Sequence, residues 1–308
     1  MALFNHVLVV IDPSQQEQKA LSRAVEIARL THCRLTVFLS IYDLSYEMTT
    51  MLSGEEREAM RLAVMADKRD WIDELMARYI PSGIAFNVNV EVVWHNRPFE
   101  AIIEHAKQGD YDLIVKATHP HDSLKALIFT PTDWHLLRKA PCAVLLVKEH
   151  AWPMHGKVLA CINAGSQKDY HLQLNDRLIK VGSQMAALLE AELHCVNAYP
   201  GTPIQVAIEI PEFNAMEYSE KMLHHHQDAL HRLAQHYSIA PNACHIKEGL
   251  PEDVIPRVAE QLDAEMVVIG TIGRTGLSAA IIGNTAEYVI DRLNCDVLAL
   301  RNPLAQST

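Results

Sequence analysis

The chain has 308 residues, about twice the size of one domain, and at 49% hydrophobic and 21% charged it carries enough apolar material for real cores. Its 38 acidic and 27 basic residues give a net charge of −11 with no Lys/Arg run, which disfavours direct nucleic-acid binding. Met1–His6 has no basic stretch, Val7–Ile11 is too short for a signal core and no apolar run is long enough for membrane insertion, so a cytoplasmic protein is expected.

Val7–Ile11 is a short apolar run ending at Asp12, the pattern of a buried parallel strand. Gln18–Leu30 follows with Ala20, Leu21, Ala24, Val25, Ile27 and Ala28 at the spacing of one helix face. After a second strand at Leu35–Ile41, the segment Tyr42–Leu52 is longer than an ordinary connection and carries apolar residues. Packing on its own domain or at the contact between the halves is the favoured reading there, ahead of a ligand lid. Glu55–Tyr79 reads as a long helix, Val88–Val93 as a strand, and Pro98 as the first turn of a helix. Leu113–Lys116 and Val144–Val147 complete the strands of the first half, and the Pro/Gly segment Trp152–Gly156 marks a boundary. In the second half, strands are expected at Val158–Ile162, Glu192–Val196, Ala243–Lys247, Met266–Ile269 and Val297–Leu300. Between them lie the long segment Tyr199–Phe213, a helix at Tyr218–His236 and another beginning near Pro251. The six cysteines (33, 142, 161, 195, 244 and 295) stand singly with no C-x-x-C, which suits reduced thiols.

The two halves repeat one another. Asp112–Lys116 resembles Glu265–Ile269 at a shift of 153, and the same shift pairs Pro98 with Pro251 and Pro141–Val144 with Asn294–Val297. Near the start, His6–Asp12 resembles Lys157–Asn163 at a shift of 151. Two domains follow, residues 1–150 and 157–308. Strand–helix alternation in each predicts an α/β fold with a parallel sheet covered on both faces, and ligands outside the carboxyl ends of the strands.

The strongest motif is Gly270-Thr271-Ile272-Gly273-Arg274-Thr275-Gly276, followed by Gly283-Asn284-Thr285. It runs from a predicted strand into a predicted helix near Gly283. Glycines let backbone N–H groups approach phosphate oxygens, the helix N-terminus adds a positive dipole end, and Thr285 adds a hydroxyl. There is no G-x-x-x-x-G-K-[ST], and the first strands of the halves end in Asp12-Pro13-Ser14 and Asn163-Ala164-Gly165 rather than in a dinucleotide fingerprint.

Gly270-x2-Gly273-x9-Gly283 resembles the phosphate-loop signature of ATP-binding universal stress proteins. Gly249–Ile255 resembles the family's segment before its fourth strand, and Asp12 matches the acidic residue that ends its first strand. The runs Trp94–Glu100 and Phe129–His135 are similar to those of tandem members. The resemblance spans the chain twice. It implies two tandem universal-stress-protein domains, each a five-stranded parallel sheet with helices on both faces (adenine nucleotide alpha hydrolase-like), and roles in surviving growth arrest, oxidative stress and DNA damage. It also implies ATP as cofactor, bound in the second half by Asn163, Gly270, Ile272, Gly273, Gly276, Gly283, Asn284 and Thr285. In the first half the loop glycines are replaced by Ala117, Pro120 and Thr130; in the second, Asn163 replaces the family's Asp and Asn284 the first Ser/Thr. Each half thus keeps a different part of an ATP site.

His224, Asp228 and His231 share a helical face, expected to be a solvated surface rather than a metal site, and His119-Pro120-His121-Asp122 is expected to be a polar loop. No nucleophile–base–acid set can be assembled from spacing. The favoured reading is a non-enzymatic binding and regulatory module, paired with a second copy of itself or with other universal stress proteins. A nucleotide-free interaction or carrier protein, whose segments Met48–Leu52 and Ile204–Ile210 line a pocket for a small apolar ligand or bury themselves between protomers, is the second reading, and a slow ATPase the third.

Overall fold

The computed structural model describes residues 3–48, 52–80, 87–120, 127–128, 130–149, 151–202, 214–271 and 284–301. The chain divides into two compact units, Met1–Val147 and Lys148–Thr308.

In the first unit, strands β1 (His6–Val10), β2 (Arg34–Ile41), β3 (Val88–Trp94), β4 (Leu113–Ala117) and β5 (Ala143–Val147) form a parallel sheet in the order β3-β2-β1-β4-β5. Continuous aliphatic runs make the central strands suitable for burial on both faces, and Val7, Leu8, Val9, Ile114 and Val115 are fully buried. Helices α1 (Lys19–Thr31), α2 (Leu44–Met48), α3 (Gly54–Tyr79), α4 (Pro98–Gln108) and α5 (Pro131–Lys139) connect them. The six apolar residues predicted for the face of α1 are the six that it buries. Pro98 opens α4, where a missing N–H costs least. Ser53 and Glu56 form a capping box on α3, and Thr130 and Asp133 form one on α5.

Two details of the first unit differ from expectation. His119–Pro120, expected in a polar loop, pairs antiparallel with Leu127–Ile128 as a two-residue ladder. Within Tyr42–Leu52 a five-residue helix forms, and Leu44 and Met48 stand exposed rather than packed, because so short a helix presents too little surface to bury a face. Residues 49–51, and 203–213 of the second long segment, lie outside the described residues.

The second unit repeats the plan. Strands β6 (Lys157–Cys161), β7 (Glu192–Tyr199), β8 (Cys244–Glu248), β9 (Met266–Thr271) and β10 (Asp296–Arg301) form a parallel sheet in the order β8-β7-β6-β9-β10. Its helices are α6 (Asp169–Leu188), α7 (Ala215–His236), α8 (Pro251–Leu262) and α9 (Asn284–Arg292). In both sheets the chain order reverses beside the first strand, between β1 and β4 and between β6 and β9. Such a switch point leaves a crevice at the carboxyl ends of the strands.

Candidate functional site

A cavity of about 450 Å³ lies at the β6/β9 switch point of the second unit. Ile162 and Asn163 border it from the end of β6, Ile269 and Gly270 from β9, and Thr285 and Ala286 from the first turn of α9. Helices α6, α7 and α8 close it with Leu174, His226 and Ile255. Its volume falls in the range of small-molecule sites, about 300–1,000 Å³.

The residues expected to touch a ligand are partly assembled here. Asn163 is exposed at the mouth of the cavity, and its backbone is fixed from both sides: its N–H donates to Asn175 Oδ1 (3.0 Å) and its C=O accepts from Asn175 Nδ2 (3.0 Å). Thr285 is exposed and lines the cavity, while Asn284 begins α9. Ile272, Gly273, Gly276 and Gly283 lie outside the described residues. Gly270 lines the cavity from within β9. Strand β9 continues through Thr271, so Gly270 is a sheet residue, and a Cβ there would lie 2.5 Å from Leu174 Cδ2. Its missing side chain admits Leu174.

The structure adds groups that spacing did not reveal. Ala164 N–H donates to Asn197 Oδ1 (2.8 Å), and the Asn197 amide meets His226 Nδ1 (3.0 Å). His226, two residues beyond His224, is only 6% exposed, and its ring stacks on Tyr199. Burial, with His225 nearby, holds its pKa below the ordinary value. His171 also lines the cavity and hydrogen-bonds to Ser166 Oγ through Nδ1; burial and then Lys168 lower its pKa. The His171–Ser166 pair lies at the start of α6. Cys161 lines the same cavity, and burial drives its thiol pKa far up, away from thiolate chemistry. His224, Asp228 and His231 are exposed, and no group of three or more His, Cys, Asp or Glu suited to a metal occurs among the described residues.

The corresponding crevice of the first unit holds only about 230 Å³. Lys116 occupies the position of Ile269, and Asp133 that of Ala286, each 153 residues earlier. Lys116 Nζ lies 2.8 Å from Asp133 Oδ1 and donates to the Ala117 carbonyl at 2.9 Å; the Asp133 carboxylate is fully buried. The other Asp133 oxygen accepts from Thr130 N–H (2.7 Å) and Thr130 Oγ1–H (2.8 Å). The N-terminus of α5 is therefore met by a carboxylate of its own helix, and Pro131 at its first position has no N–H. Asp12 shapes the neighbouring loop by accepting from Ser14 N–H (2.9 Å) and Ser14 Oγ–H (2.7 Å). Gln18 holds the Asp12 backbone as Asn175 holds that of Asn163, accepting from its N–H (3.1 Å) and donating to its C=O (2.6 Å). Thr118 and Thr271 each donate to the last strand of their own unit, at Val147 and Leu300.

Two parallel α/β units, each with its crevice at a β-strand switch point and only the second followed by a glycine-rich loop, define the class of protein. The profile of the Universal stress protein family matches residues 3–148 and again 156–301, and the chain belongs to that family. It is 49% identical to Universal stress protein E of Escherichia coli K12 across 98% of this chain and 95% of the relative. It is 40% identical to a Universal stress protein E homolog of Haemophilus influenzae, with 97% of each chain covered. Among solved structures, a universal stress protein of Pseudomonas aeruginosa superposes with a TM-score of 0.75 at 33% identity, covering 98% of this chain and 95% of that one.

Proposed function

We propose that the chain is a cytoplasmic binding and regulatory module of the stress response whose second unit takes an adenine nucleotide and whose first takes none. Its support of survival under DNA damage and growth arrest runs through partners, among them a second copy of itself or another universal stress protein, and not through turnover of the nucleotide. The observation that carries this reading is the contrast between the crevices. The second is 450 Å³ and is bordered by the first turn of α9. The first is 230 Å³ and carries a buried ion pair where the second has Ile269 and Ala286. The residues of the second crevice fit an adenosine, with apolar walls for a ring and polar groups at Asn163 and Thr285. A helix N-terminus at its border favours phosphate.

Native mass spectrometry of the freshly purified full chain tests the reading against the variant Gly273→Asp, whose carboxylate would repel phosphate. One adenine nucleotide per wild-type chain and none on the variant is expected. Two nucleotides per chain would contradict the assignment to one unit, and a bare wild-type protein would remove the nucleotide altogether.

A second reading, a carrier of a small apolar ligand, draws support from the same cavity. Its described lining includes Leu174, Leu178, Ile255 and Ile269 and contains no Lys, Arg, Asp or Glu. An apolar adduct in the same spectrum, retained in Gly273→Asp, would favour it.

A further inference from the structure

The amide of Asn197 can face only one way. Ala164 N–H is a donor, so the Asn197 atom 2.8 Å from it must be the acceptor Oδ1. The Nδ2 group is then the one turned to His226, 3.0 Å from Nδ1, and a group with only protons to offer requires an acceptor there. His226 Nδ1 is consequently unprotonated, and the neutral ring carries its proton on Nε2. Asn197 is fully buried, His226 nearly so, and Gly165 leaves the room that His226 Cε1 occupies, since a Cβ at Gly165 would lie 2.2 Å from that atom. The ring is thereby fixed in position, in tautomer and against Tyr199. No hydrogen bond among the described residues engages Nε2, and His226 lines the cavity.

We infer that His226 is a specificity-determining donor of the second-unit cavity, held by Asn197 as the Nε2–H imidazole, and that it selects an uncharged nitrogen heterocycle presenting an in-plane acceptor. The walls agree with such a ligand. Ile162, Leu178 and Ile255 offer apolar faces to a flat ring, and no charged side chain borders the cavity among the described residues. A donor that cannot rotate or change tautomer without breaking the Asn197 link discriminates strongly, because a ligand group without an acceptor would leave the N–H desolvated and unpaired. The inference rests on the reading of this cavity as a ligand site and names the part of the ligand recognised at its floor.

The test is long-range ¹H–¹⁵N NMR of the histidine rings in the full chain at pH 7, with the His226 signals identified by their loss in His226→Gln. The unliganded wild type should show Nδ1 unprotonated and Nε2 protonated. Asn197→Asp, which offers acceptors to both Ala164 and His226, should move the proton to Nδ1. Adenosine, which has the ring but no phosphate, should shift the Nε2–H signal, and His226→Phe should weaken its binding about tenfold, the loss of roughly one hydrogen bond. An Nδ1–H ring in the wild type would overturn the inference without any variant. Binding of adenosine that leaves Nε2–H unmoved and survives His226→Phe would overturn the donor role while leaving the nucleotide reading in place. If neither ATP nor adenosine binds the wild type, the nucleotide reading falls and this donor role falls with it.

Discussion

At the scale of single residues the two crevices differ by a few side chains whose energetics can be separated. Lys116 and Asp133 are 10% and 0% exposed at the side chain, so removing either one leaves the other charged and uncompensated in a poorly hydrated place. Asp133→Ala or Lys116→Met alone should cost about 3–5 kcal/mol. The double change Lys116→Ile with Asp133→Ala, which copies the second unit, should recover most of that loss, since a buried pair gains little over apolar neighbours of similar volume. Urea unfolding followed by tryptophan fluorescence reads the difference, because Trp71, Trp94 and Trp134 lie in the first unit and only Trp152 in the second. A double variant whose loss equals the sum of the two single losses would show that the charges act independently. In the second unit the sensitive position is Gly165. A methyl group there meets the rigid His226 ring at 2.2 Å, so Gly165→Ala should destabilise by about 1–3 kcal/mol through overpacking, seen as a lowered urea midpoint.

Among the elements, α3 is the most dependent on local signals. Of its 26 residues only Ile72 and Leu75 are buried, both in its last third, so tertiary packing does little for its beginning. That end relies on the capping box: Glu56 N–H donates to Ser53 Oγ (3.2 Å) and Ser53 N–H donates to Glu56 Oε2 (2.8 Å). Ser53→Ala should cost about 1 kcal/mol and show as faster amide exchange in the first two turns with little change near Ile72. Uniform acceleration along the helix would mean that α3 opens as one unit. The strands show the opposite balance. β7 and β9 run beyond their expected ends, to Tyr199 and Thr271, because ladder partners in β8 and β10 continue that far. Helix α6 had no delimited boundary in the sequence, and its N-cap, Lys168, supplies no side-chain hydrogen bond.

For the whole molecule, buried and half-buried histidines set a common pH dependence. His6 and His105 in the first unit, and His171, His194, His226 and His245 in the second, all have pKa values below the ordinary one, with burial the largest cause in each. A histidine whose folded pKa is depressed takes up its proton more readily when unfolded. Its contribution is therefore complete above the unfolded value of about 6.5 and is lost as the pH falls through the lower folded values. Carboxylates held low, such as Glu56 by Ser53, lose their contribution only in the carboxylate range near 4. The thermal midpoint should fall between pH 7.5 and pH 5, before any carboxylate titrates. A midpoint constant over that interval would contradict the assigned shifts.

How far this protein could be read before folding follows from the range of its signals. Apolar runs of strand length, one-faced helix spacing at α1, prolines at the first turns of α4 and α8, and the 153-residue repeat are all local or strictly periodic. They were sufficient for ten strands, their parallel arrangement and the family. The glycine spacing after β9 and its replacement in the first half are features of the sequence itself. What only the tertiary structure decided is how each crevice is closed. Lys116 meets Asp133, Asn197 reaches Ala164 across 33 residues, and His226 reaches Asn197 across 29. These separations carry no period. They follow from strand order, which brings the ends of β6 and β7 side by side under α7, so that one histidine of an outwardly polar run becomes a buried and oriented group.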